Sequence, residues 1–280
     1  MGILSNLFSG SKKLNIEKRF KLLPWKWRGY FSTIYQVTEK NDSERFALKV
    51  LKSEVIEKAK KKFAGLKPPN ELEILSSIDS PYCVRPVETG LTIDGSPYLL
   101  MKWLDGGTME QLVEKQKLNL ATRCSFAIDM ARAVNDVHNS GYVHRNICLK
   151  NFLADRTTKK LQLVDFGYSL PNKPEFLARI SREGTPLFMA PEVVRRKTCS
   201  HRIDIFSLGV SMYWLMSGQH PWGLEDNSSV SAMQFDSYPS IPIQTHLPDL
   251  SEKIARLIDG CLVANPENRT ELRQLLRAFE

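Results

Sequence analysis

The chain has 280 residues, 42% hydrophobic and 25% charged, a balance that fits one large globular domain or two joined lobes and excludes a fibrous or disordered chain. Lysine and arginine exceed aspartate and glutamate, 39 against 31, and the net charge of +8 suits phosphate ligands, acidic partners or a membrane surface; no aromatic interleaving or zinc-finger spacing supports nucleic acid. The 5 cysteines form no C-x-x-C pair, no apolar run approaches the ~18 residues of a membrane span, and the start lacks a secretory pattern, so a reducing, cytoplasmic setting is expected.

Residues 1–19 mix a short apolar start with Ser, Gly and Lys and read as a tail. Gly2 leaves N-terminal membrane association as a minor alternative, because Asn6 stands where the myristoylation pattern wants Ser or Thr. Runs rich in β-branched and aromatic residues at 33–37 and 45–51, with Asn41-Asp42-Ser43 as a turn between them, predict an antiparallel meander. A polar helical stretch follows, and its Lys58, Lys60, Lys61 and Lys62 read as a solvated face. Pro68-Pro69 ends it, and Asn70 can cap the next helix, which carries Leu72, Leu75 and Ile78 on one face. Strands are expected at 84–88 and 98–103, around an Asp94-Gly95 turn.

After Gly106-Gly107 the pattern turns helical. Residues 119–139 repeat apolar side chains at helical spacing, with Gly141 as the stop signal. Two short strands at 152–154 and 161–164 flank a turn, and the apolar stretch 203–216 reads as a buried helix. The plan is α+β: a sheet-rich N-lobe with one main helix over residues 20–104, and a larger helical C-lobe over 105–280.

Five patterns stand in one order: Ala47-Leu48-Lys49 at a strand end, Glu71 on the following helix, His144-Arg145-Asn146-Ile147 leading to Asn151, Asp165-Phe166-Gly167 after a strand, and Ala190-Pro191-Glu192. Here the chain resembles the protein kinase superfamily, in particular Ser/Thr protein kinases, over about residues 20–280. The resemblance implies a bilobal fold, ATP and magnesium as cofactors, and a protein substrate or regulated protein partner. Lys49 is expected to neutralise the α- and β-phosphates, held by an ion pair to Glu71, with Asn151 and Asp165 as magnesium ligands. Ile34, Ala47 and Leu153 are expected to sandwich the adenine ring. Backbone groups of Lys102 and Leu104 would pair with its edge, and Met101 would stand behind it. Thr185 resembles the threonine of the substrate-docking loop, Glu192 and Arg269 the pair that ties that loop down, and Asp204 the buttress of the catalytic loop. Ser181 is a candidate phosphorylation switch, with Arg145 as its clamp and Arg179 and Arg182 adding positive charge.

Three departures cluster on the transfer step. Asn146 stands where the family carries its catalytic aspartate. Cys148 replaces a phosphate-contacting lysine, for which Lys150 is the candidate substitute. In Trp27-Arg28-Gly29-Tyr30-Phe31-Ser32-Thr33-Ile34, aligned with the glycine-rich loop, Trp27 and Ser32 take glycine positions, and Trp27 either stiffens the loop or covers the adenine pocket, or simply caps the sheet. The expected function is an ATP-binding pseudokinase or weakly active kinase in signalling. The alternatives are an active Ser/Thr protein kinase with a non-standard loop and, less favoured, a small-molecule kinase of the same fold.

Overall fold

The computed structural model describes residues 13–63, 65–115, 118–156, 158–178, 182–224 and 233–279. Gly2, Arg179 and Ser181 lie outside them. The chain divides into two compact units: the first reaches to Ser76 and takes in Arg85–Trp103, and the second takes Ser77–Val84 and everything from Leu104 on.

The first unit is built on a five-stranded antiparallel sheet of β1 Phe20–Arg28, β2 Ser32–Glu39, β3 Arg45–Leu51, β4 Pro86–Leu91 and β5 Pro97–Lys102, in the order β1-β2-β3-β5-β4. One face carries Val37, Leu48, Tyr98 and Leu100, which pack with Phe20 and Leu14 into a core. Leu14 belongs to the segment read as a tail; here it is buried, it bridges to Thr92, and the helix Ile16–Arg19 follows it. Arg19 fastens the strand ends, at 2.7 Å from Glu39 and 2.6 Å from Glu88.

The helix Glu71–Ser77 starts where Asn70 predicts. Asn70 Oδ1 accepts the Leu72 and Glu73 amides at 2.9 and 3.1 Å, and Glu73 Oε2 accepts the Asn70 amide at 2.8 Å, a reciprocal cap that satisfies otherwise orphaned donors.

The second unit is mainly helical. Its long helices are Leu120–Asn139, capped by Asn119 through the Thr122 amide, and Arg202–Ser217, buried on nearly every side. Glu252–Cys261 and Leu272–Phe279 follow. Two small antiparallel pairs carry the loops between them: β6 Tyr142–Val143 with β9 Leu170–Pro171, and β7 Phe152–Asp155 with β8 Lys160–Leu163. The sequence patterns anticipated the second pair and missed the first, because two-residue strands have no periodicity to read. No described helix is long and apolar enough to cross a membrane.

Candidate functional site

In the first unit, register decides which side chains share a face. Trp27 opposes Ile34, Ile34 opposes Lys49, Lys49 opposes Leu99, and Ala47 opposes Met101. Residues directly opposite, or two apart on one strand, project to the same side. Trp27, Ile34, Ala47, Lys49 and Met101 therefore line one face, opposite the Leu48 core. Lys49 Nζ lies 2.5 Å from Glu71 Oε1, with only 3% and 5% of the two side chains exposed. Taking two charges out of water is costly, and an apolar pair would avoid that cost. Lys102 ends β5 with an exposed side chain and a backbone paired to Phe46.

The tip joining β1 to β2 is tightly tied. Gly29 donates its amide to the Ser32 carbonyl at 2.9 Å, and Lys52 donates its amide to the Phe31 carbonyl at 2.8 Å and its ammonium to the Gly29 carbonyl at 2.7 Å. The Trp27 indole lies directly over Gly29, where any side chain would collide with the ring.

In the second unit, the β7–β8 hairpin brings Asn151 and Asp165 to its open end. Val164 donates its amide to the Asn151 carbonyl at 2.9 Å, and Asp165 follows with φ of 65°, a left-handed conformation that non-glycine residues rarely adopt. Arg145 shares that strain, with φ of 67°. Leu153 lies in β7, bridged to Thr108, and Leu104 is buried.

Asp204 accounts for how the strained Arg145 is held. It is fully buried and accepts the His144 and Arg145 amides at 2.7 and 2.8 Å, with His138 Nε2 at 2.9 Å. Burial opposes its ionisation, but the hydrogen bonds and charge of His138 and the His144 amide outweigh burial and hold the carboxyl below its ordinary range. The Phe166 ring packs edge-on against His144 at 4.7 Å.

Asn146 has both ends engaged. Asn151 Nδ2 donates to its carbonyl at 2.8 Å, and Thr185 Oγ1 donates to its Oδ1 at 3.0 Å while reaching Cys148 Sγ at 3.5 Å. With its Nδ2 bonded to Asn146, Asn151 has Oδ1 left to offer a ligand. That oxygen and the Asp165 carboxylate form a hard donor set suited to magnesium. Among the described residues no three His, Cys, Asp or Glu side chains gather around a metal position, so such an ion would also need oxygens from phosphate or water. Burial pushes the Cys148 thiol up, which keeps it protonated.

Lys150 reaches Glu110 at 3.5 Å rather than the Asn146–Thr185 pair. Arg145 donates to the Tyr168 carbonyl at 3.0 Å and to Glu183 at 3.1 Å. Arg182 donates to the Val194 carbonyl at 2.6 Å. Glu192 and Arg269 form a buried bidentate pair, both contacts at 2.7 Å, and Arg269 also reaches the carbonyls of Arg202, Val263 and Ala264. Sequence reasoning missed Glu183, Lys52 and His138. Each partners a residue far along the chain, and no local pattern marks such a partner.

The profile of the protein kinase domain family matches residues 28–278. Curated relatives include the serine/threonine-protein kinase CTR1 of Arabidopsis thaliana, 31% identical over 75% of this chain and 24% of its own length. The STE20 kinase of Saccharomyces cerevisiae is 26% identical over 74% of the chain and 22% of its own length. The PAK 5 kinase of Rattus norvegicus is 28% identical over 64% and 24%. The chain thus spans about a quarter of the length of each of these relatives.

Proposed function

This chain belongs to the protein kinase domain family, and we propose that it is an ATP-binding pseudokinase, or a weakly active kinase, that regulates a protein partner in a cytoplasmic signalling setting. The observation that carries the reading is Asn146. An amide does not accept a proton at neutral pH, and here its oxygen already holds the Thr185 hydroxyl at 3.0 Å. A positioned base is worth ~10²–10⁴-fold in rate, so transfer is expected to be slow.

The remaining residues support nucleotide binding. ATP would supply the phosphoryl group, and magnesium would neutralise its phosphates. Lys49, oriented by Glu71, holds a positive charge on the sheet face that Ile34, Ala47 and Met101 line. Asn151 and Asp165 offer oxygens to the metal. Phosphoryl transfer depends mainly on positioning and electrostatics, so loss of the base leaves slow transfer open. The second reading, an active Ser/Thr protein kinase, draws on the ordered loops: Asp204 holds the backbone of the catalytic loop, and Thr185 meets residue 146.

The test is transfer of radiolabelled phosphate from ATP by this chain and by Asn146→Asp, together with melting temperature in millimolar Mg-ATP. The reading expects a thermal shift in both proteins, because a ligand that binds only the folded state stabilises it. It also expects roughly 10²-fold more incorporation with Asn146→Asp. No shift with ATP, with or without magnesium, overturns nucleotide binding. Equal, fast incorporation by both proteins favours the active-kinase reading.

A further inference from the structure

We infer that Trp27 sets ligand choice in this chain, by covering the side of the hairpin tip that would face the phosphates, so that a nucleotide is recognised by its nucleoside and scarcely by its phosphates. This rests on the nucleotide-binding reading above.

Trp27, Ile34 and Lys49 form one cross-strand row and project to one side of the sheet. Any phosphate attracted by Lys49 lies on that side. The tip that would cradle it carries one glycine, Gly29, between Trp27 and Ser32. A glycine in such a loop serves phosphate binding by leaving its surface bare, so that backbone and ligand approach closely. Here the bare surface of Gly29 is already covered. The Trp27 indole lies against it on the Lys49 side, and a Cβ at position 29 would overlap the ring. The surviving glycine therefore accommodates the indole.

Two further observations fix the tip in this state. The Phe31 and Gly29 carbonyls are both held by Lys52, and Ser32 is buried. The tip is fastened to the end of β3 instead of being free to fold onto a polyphosphate. Lys49 lies on the same face as the covered tip, held by Glu71 at 2.5 Å, and does not itself extend the tip's donors. Trp27 is 46% exposed, which leaves part of a flat, mainly apolar aromatic surface for a base or sugar. A loop whose amides meet the phosphates gains charge-assisted hydrogen bonds for each phosphate added. Here the Gly29 amide is taken by the Ser32 carbonyl at 2.9 Å.

Isothermal titration of the chain with adenosine, ADP and ATP, each with and without magnesium, tests the inference by affinity alone. The expected result is three dissociation constants within about threefold of one another, because the tip supplies no charge-assisted bond per phosphate. Trp27→Gly uncovers the tip and is expected to strengthen ATP relative to adenosine by about tenfold or more. Gly29→Ala provides a second route should Trp27→Gly fail to fold. Gly29 is outside the left-handed region, so alanine fits its backbone, and the added methyl displaces the ring without removing it. It is expected to move the ATP-to-adenosine ratio in the same direction. Wild-type binding of ATP about tenfold or more tighter than adenosine overturns the inference while leaving nucleotide binding intact. A ratio unchanged in both variants overturns the role of Trp27. No binding of any of the three ligands to the wild type or to either variant overturns the nucleotide reading itself, and the inference with it.

Discussion

Arg145 and Glu183 meet at 3.1 Å, with the arginine side chain only 4% exposed. The acidic group that the buried guanidinium needs is thus supplied by the loop's own carboxylate, where the family resemblance placed a phosphate on Ser181. Glu183→Gln is expected to make the segment 168–188 about tenfold more sensitive to protease, the worth of one hydrogen bond to a charged group. Phosphorylation of Ser181 is expected to protect the segment little in the wild type and more in Glu183→Gln. Equal cleavage of wild type and Glu183→Gln counts against the pair as a latch.

The Lys49–Glu71 pair is expected to matter for folding as well as for ligand. Lys49→Met leaves the Glu71 carboxylate buried without its ammonium, a loss of about 3 kcal/mol in urea denaturation with no nucleotide present. Lys49→Met combined with Glu71→Leu is expected to regain most of that stability, because no buried charge is left over. A single variant as stable as the wild type would mean that solvent reaches the carboxylate.

Arg269 makes two contacts of 2.7 Å to Glu192 and binds three carbonyls besides. Lysine keeps the charge but has no planar fork to share among five acceptors. Arg269→Lys is expected to cost about 3 kcal/mol, read as a lower melting temperature. A change within experimental error would show that one cation in this position suffices.

His220 gives a pH dependence. Burial lowers its pKa from 6.5 to about 4, against a smaller opposing effect of the Leu187 carbonyl, 3.1 Å from Nε2. Trp214, Trp222 and Phe235 surround the ring. Between those two values the unfolded chain holds the extra proton and the folded chain does not. The stability that depends on this histidine is complete above pH 6.5 and is lost as pH falls toward 4. The loss amounts to about 3 kcal/mol at most. His220→Gln, which keeps a donor for Leu187 and does not titrate, is expected to flatten this part of the stability profile. The same slope in both proteins would place the titration elsewhere.

Much of the architecture was legible locally. Asn70 capped the helix it was expected to cap, because a capping side chain bonds to amides within three residues, and Asn119 caps its helix in the same way. The buried helix Arg202–Ser217 and the β7–β8 hairpin were readable because apolar spacing and turn residues act over a few positions. The order of the short motifs points to the family without any tertiary contact, since that order is carried by the chain itself.

What the sequence alone determined was therefore the element plan, the family and the residue types at the site, including the amide at position 146. Only the tertiary structure decided their partners. Thr185 takes the Asn146 oxygen, Glu183 takes Arg145, Lys150 turns to Glu110, and Trp27 comes to rest on Gly29. The first three pairs span 39, 38 and 40 positions, from 146 to 185, 145 to 183 and 110 to 150. A side chain chooses among distant partners by burial and by what competes for it, and neither exists until the chain has folded. Trp27 shows the same limit at short range. Whether its ring can meet Gly29 depends on the face to which it projects, and strand register sets that face.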